Sequence, residues 1–99
     1  MIDLIQAIYN NTILAQSDKT YFLEGNHYFP AENVKTEFLE PNQFQTTCPW
    51  KGQAHYYDSL EPEKAKNIAW YYPEPKEAAK DIKGHIAFDT RLVEVKEIG

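Results

Sequence analysis

Thr46-Thr47-Cys48-Pro49-Trp50-Lys51-Gly52, continued by Gln53-Ala54-His55-Tyr56-Tyr57, is the stretch on which the reading of this chain turns. It carries the only cysteine, one of two tryptophans, and a lysine beside a glycine, with a proline at its middle. Pro49 and Gly52 mark a turn, because proline presets φ and glycine supplies positive φ. Residues 53–57 then alternate as a strand, with Ala54 and Tyr56 on one face and His55 and Tyr57 on the other. Such a density of reactive and aromatic side chains on one turn predicts a site.

Working outward, the N-terminal half repeats short apolar runs around turn residues. Residues 1–6 read as a lead-in, either a loose helical turn or a strand. Ile8-Tyr9 and Thr12-Ile13-Leu14-Ala15 flank Asn10-Asn11, and asparagine tolerates positive φ, so a tight hairpin is predicted. After a second turn at Ser17-Asp18-Lys19, Tyr21-Phe22-Leu23 and His27-Tyr28-Phe29 repeat the device around Gly25-Asn26. Pro30 stops that run and opens one helical turn through Asn33. Partial alternation over residues 34–40 predicts a half-exposed strand with Glu37 in its middle, closed by a turn at Pro41-Asn42.

Beyond the central stretch, residues 58–66 read as a polar loop. Asn67-Ile68-Ala69-Trp70-Tyr71-Tyr72 is the most aromatic strand candidate, closed by Pro73. Residues 75–82 are rich in helix formers, with Pro75 in the first turn and Gly84 just past the end, which predicts the one helix. His85-Ile86-Ala87-Phe88 and Leu92-Val93-Glu94-Val95 finish the chain as strands. Many short strands and one short helix predict a mainly β fold, a single small domain over residues 1–99 with antiparallel pairing.

Composition narrows the function classes. A chain of 99 residues, 42% hydrophobic, is long enough for one core without staples. Seven tyrosines against five phenylalanines point to half-buried rings whose hydroxyls need partners, as at a groove rim. A net charge of -5 and a pI near 5.1, with scattered basic residues, argue against nucleic-acid binding. A local lysine can still meet a small anion. A single cysteine excludes an intrachain disulfide and a cysteine-cage zinc site. No apolar run approaches the roughly 20 residues of a membrane span, and no secretion signal opens the chain. The expectation is a cytoplasmic domain with no membrane or nucleic-acid partner and no cofactor.

Four blocks occur in order: Tyr28-Phe29-Pro30, residues 48–57, Ala69-Trp70-Tyr71-Tyr72-Pro73-Glu74-Pro75, and Gly84-His85-Ile86-Ala87-Phe88. Together they resemble domain-of-unknown-function family 427 over nearly the whole chain. The family usually has glycine where this chain has Asn11, a swap that positive φ tolerates. The resemblance implies a small, mostly β fold similar to the β-tent proteins, which include zinc-binding modules and methionine sulfoxide reductases. Those zinc modules use cysteine pairs, so the metal does not carry over. The family sometimes bears a nucleotidyltransferase label, for which this chain lacks a Gly-Ser segment with spaced aspartates and a glycine-rich phosphate loop.

Each candidate residue has a functional reading and a plain one. Cys48 reads as a nucleophile helped by Lys51 or a histidine, or as a small hydrophobe in the core. Lys51-Gly52 presents a cation and a close-approaching backbone to a carboxylate or phosphate, or is simply a turn. Of His27, His55 and His85, none has ligand spacing to another, and His85 is the better site candidate because it sits in the last shared block. Tyr28, Phe29, Tyr56, Tyr57, Trp70 and Tyr72 read as core and one groove wall or as ordinary strand packing, and Trp50 as a ligand-contacting residue that shelters the Cys48 sulfur. The leading expectation is a domain that binds a small molecule or peptide in an aromatic groove beside the Cys48–Gly52 turn. A thiol enzyme with Cys48 as nucleophile and a homodimeric interaction module are the alternatives.

Overall fold

A computed structural model of the chain describes residues 4–98. Among them the strands run β1 (Leu4–Tyr9), β2 (Thr12–Ser17), β3 (Tyr21–Leu23) and β4 (Asn26–Pro30). They continue as β5 (Leu39–Cys48), β6 (Gly52–Ser59), β7 (Ala65–Tyr71), β8 (His85–Phe88) and β9 (Glu94–Ile98). A three-stranded sheet has the order β2-β1-β9, and a six-stranded sheet the order β3-β4-β8-β7-β6-β5. Every pairing is antiparallel. The mainly β expectation is met.

Alternation along the strands explains how the layers pack. On β8, Ile86 and Phe88 face one cluster of buried side chains while Ala87 faces another; on β4, Phe29 and Tyr28 divide the same way. The first cluster lies between the two sheets, where Ala7, Leu14 and Val93 meet Phe29, Ile68 and Phe88. The Phe29 and Phe88 rings sit edge to face at 5.6 Å, an arrangement their quadrupoles favour. The second cluster lies on the far face of the large sheet, where Tyr28, Ala54, Tyr72 and Ala87 meet Ala79 and Ile82. One face of the large sheet is therefore covered by a sheet and the other only by a short segment.

Turn chemistry reads well from sequence. Tyr9 pairs with Thr12, and the intervening Asn10 and Asn11 have φ of 49° and 64°, the positive pair that a type I′ turn requires. The β3–β4 turn is Glu24-Gly25, one residue earlier than expected, with φ of 52° and 81°. The two-residue turn requires positive φ at both positions, which for the non-glycine Glu24 carries a backbone cost.

Several expected elements take another form. The strand expected over residues 34–40 is a bridge from Val34 to Ala15 followed by 3₁₀ residues Thr36–Phe38. Only Val34 and Leu39 are buried there, a spacing that no single strand face supplies, and Glu37 is exposed. Pro41-Asn42 is no turn; β5 runs through it with a register irregularity between Pro41 and Gln45. Pro41 is tolerated because β5 is an edge strand. The helix expected over 75–82 forms as 3₁₀ turns over Glu77–Ile82, interrupted at Ala79. The buried Ala79 and Ile82 lie three apart, the 3₁₀ repeat, so docking onto the sheet overrides helix propensity. The last strand begins at Glu94 rather than Leu92 because Asp89 to Arg91 make a turn held by the Asp89 carboxylate. The lead-in enters β1 at Leu4; its first three residues lie outside the described range.

Phe88→Ala, which empties the space between the sheets, is expected to destabilise the fold by about 3–5 kcal/mol. Glu37→Gln, on an exposed 3₁₀ residue, is expected to stay within about 0.5 kcal/mol of the parent. Urea unfolding of the two variants checks both.

Candidate functional site

On the far face of the large sheet, beyond the reach of Ala79 and Ile82, the strands leave an open groove of about 790 Å³. Its aromatic walls are Tyr28 from β4, Phe44 from β5, Tyr56 from β6, Trp70 from β7, and Tyr72 just after β7. These rings touch in series: Phe44 to Tyr56 at 4.9 Å, Tyr56 to Trp70 at 6.4 Å, and Trp70 to Tyr28 at 6.5 Å edge on. Their polar tips are engaged. Trp70 Nε1 donates to the Tyr28 hydroxyl at 3.3 Å, and Tyr56 shares a 2.9 Å hydrogen bond with Thr46 Oγ1. Burial raises the Tyr28 phenol and pushes Tyr72 up to about 12, so both stay neutral donors.

The Cys48–Gly52 turn closes one end. Cys48 pairs with Gly52 across the β5–β6 hairpin. Gly52 has φ of 116°, and a Cβ there would stand 3.2 Å from the Glu74 carbonyl oxygen. That close approach lets Lys76 N donate to Lys51 O at 2.9 Å and Lys76 Nζ donate to Pro49 O at 2.6 Å. On the other side, Lys51 Nζ pairs with Glu24 Oε1, and Trp50 Nε1 donates to Glu24 Oε2 at 3.2 Å. The two carboxylate oxygens of Glu24 tie the β3–β4 turn to the β5–β6 turn and offset the cost of its left-handed backbone. Lys51 Nζ also lies over the Trp50 and Tyr72 rings at 5.5 and 5.6 Å, within cation–π range.

Two irregular strands hold the opposite end. Asn42 Nδ2 donates to Asp58 Oδ1 at 2.6 Å and to Asn67 Oδ1 at 2.8 Å, while Asn67 N donates to Asp58 Oδ1 at 2.9 Å. The Asn67 N–H, more than any other neighbour, keeps Asp58 below the usual carboxylate range. Asn42 Oδ1 accepts from Phe44 N at 2.8 Å, so this network sets the irregularity in β5 that presents Phe44 to the groove. Lys66, Asn67, Asp89, Arg91 and Leu92 line this end. Arg91 is bound to Asp89 at 2.8 Å.

Of the residues expected from sequence, Tyr28, Lys51, Tyr56, Trp70 and Tyr72 come together on the groove wall, while Phe29 lies between the sheets. Cys48 is half-buried and packs with the Tyr28–Tyr72 cluster behind that wall. Gly52 lies under the 74–76 segment, and Trp50 sits outside, on Glu24. Tyr57 and His85 stand apart from the groove. Tyr57 faces the space between the sheets with Tyr71 at 5.1 Å, and His85 donates from Nδ1 to Lys83 O at 2.9 Å. The two helpers expected for Cys48 are therefore engaged elsewhere, Lys51 on Glu24 and His85 on a backbone carbonyl. Among the described residues, no three His, Cys, Asp or Glu side chains gather to hold a metal ion, and no helix is long and apolar enough to cross a membrane. Phe44, Lys66, Asn67 and the 89–92 turn were not anticipated. The only sequence signal for Phe44 is its isolation as an aromatic between Gln43 and Gln45.

The fold and groove define a small antiparallel β domain with one sheet face left open as an aromatic cleft. The chain belongs to the family described as Domain of unknown function (DUF427), whose model matches residues 3–99. A search among curated proteins found no match.

The Glu24–Lys51 clasp makes stability depend on pH at both ends. The Lys51 hydrogen bond holds Glu24 below its ordinary 4.5. The unfolded chain therefore takes up that proton first, and the contribution present above 4.5 is lost as pH falls through the folded value. Burial would lower Lys51, but Glu24 and the neighbouring tyrosines outweigh it and raise the group above 10.5. Its contribution is present below 10.5 and lost as pH rises through the folded value. Tyr72 acts in the same direction between its ordinary 10.0 and about 12. The melting temperature is expected to fall at both extremes, and Glu24→Gln to flatten the acid limb relative to the parent while keeping the tyrosine-driven alkaline fall.

Proposed function

We propose that this domain binds a small molecule or peptide in the aromatic groove beside the Cys48–Gly52 turn. The observation that supports the reading is the uncovered face of the large sheet. Phe44, Tyr56 and Trp70, in contact in series, line an open cleft over the buried Tyr28 and Tyr72, whereas Phe29 and Phe88 on the opposite face are fully covered. Concave aromatic surface with a few fixed polar tips is the usual makeup of a small-ligand site. Phe44, half exposed at 50%, carries no core load and serves the cleft alone. Recognition would rest on stacking against Phe44, Tyr56 and Trp70, with the Tyr28 and Tyr72 hydroxyls and Lys51 fixing orientation.

Naphthamide, a neutral flat ring, is a suitable first probe. It is expected to move the Trp70 indole N–H resonance on titration. Phe44→Ala is expected to weaken that binding about tenfold while changing stability by less than about 1 kcal/mol. Trp70→Ala, with binding read from the naphthamide's own resonances because the indole reporter is gone, is expected to abolish it in a protein that remains folded by circular dichroism. A collapsed Trp70→Ala variant, together with unchanged binding in Phe44→Ala, would return these rings to a purely structural role.

A further inference from the structure

We infer that the ligand is a planar ring bearing a carboxylate, and that Glu24 occupies the carboxylate's place in the free protein. This inference rests on the groove reading above and adds the chemistry of its closed end. Lys51 is a groove-lining cation whose side chain is only 11% exposed, whereas its counter-ion Glu24 is 47% exposed. That asymmetry decides which partner is exchangeable. Glu24 returns to water with little loss of hydration, but the Lys51 ammonium stays between Trp50 and Tyr72 and requires an anion beside it.

The geometry of the existing pair states what kind of anion fits. Glu24 Oε1 accepts from Lys51 Nζ and Glu24 Oε2 from Trp50 Nε1, one donor for each oxygen of a carboxylate. Glu24 reaches this cradle from the exposed tip of the β3–β4 turn, so its side chain can give way to a free carboxylate while the hairpin pairing stays intact. Register places the rest of the ligand. His55 pairs with Tyr71 and Ser59 with Ala65, so the Lys51–Tyr72 end of the groove runs along β6 and β7 past Tyr56 and Trp70 to Lys66. A ring attached to the carboxylate at Lys51 lies against Tyr56 and Trp70. The cations of the other end do not compete for it. Arg91 is already held by Asp89, and the Lys66 side chain is 90% exposed and 4.0 Å from Asp58.

The test compares naphthoate with naphthamide, equal in ring and different in charge, on the parent, Glu24→Gln and Trp50→Phe. Affinity is read from the Trp70 indole N–H resonance and folding from the melting temperature. The inference predicts that naphthoate binds Glu24→Gln at least about tenfold more tightly than the parent, since the resident charge no longer competes. Naphthamide should bind the two equally. Trp50→Phe, which removes one donor and leaves Lys51 in place, should weaken naphthoate several-fold and leave naphthamide unchanged. If both probes move Trp70 but bind alike in the parent and in Glu24→Gln, the carboxylate site is wrong and the groove reading survives. If neither probe moves Trp70 in any of the three proteins, the groove reading falls and this inference falls with it.

Discussion

A β-strand sends neighbouring side chains to opposite faces, and in this protein only one of those faces has a second sheet to cover it. The six-stranded sheet must place Tyr28 opposite Phe29, Ala87 opposite Phe88, and Tyr56 opposite Tyr57. Phe29 and Phe88 vanish into the layer shared with β1, β2 and β9. Their strand neighbours face a side that the Glu77–Ile82 segment only partly roofs. The groove is what remains of that side. Its aromatic character follows from the same rule, because a half-covered sheet face suits residues with an apolar ring and a polar tip.

The two ends of the groove are held by different physics. At one end a buried lysine, an exposed glutamate and a tryptophan N–H join two hairpin turns that are far apart in sequence. At the other, the neutral amides of Asn42 and Asn67 close on Asp58 and bend β5 and β7 out of regular register. Both ends depend on pH, one through Glu24 and Lys51 and the other through the Asp58 carboxylate that the two amides hold. On the proposed reading, the Lys51 end would discriminate among ligands and the Phe44 end would set the width of the cleft.

Much of this was legible in the residues themselves. Asn10-Asn11 announces its hairpin because few residue pairs accept two positive φ values. The alternation of residues 53–57 sorts Tyr56 from Tyr57 correctly, yet it does not say which face is open, since that depends on a sheet formed by the two ends of the chain. His85 illustrates the same limit, for membership of a motif block says nothing about the face a side chain takes. The partnership of Glu24 with Lys51 spans 27 residues and has no local signature. Phe44 was unreadable because its position depends on the irregularity made by Asn42, whose partners lie on two other strands. The 75–82 segment shows propensity yielding to packing, as Ala79 and Ile82 dock on the sheet from 3₁₀ turns interrupted at Ala79.

The recognition surface proposed for this domain is the open face of the large sheet. A fragment screen by NMR, with every aromatic ring assigned, tests it most directly. The account predicts that hits shift Phe44, Tyr56, Trp70 and Tyr72 together while Phe29 and Phe88 stay still. Hits gathered instead on the exposed edge rings Tyr21 and Phe22, with Trp70 unmoved, would contradict it.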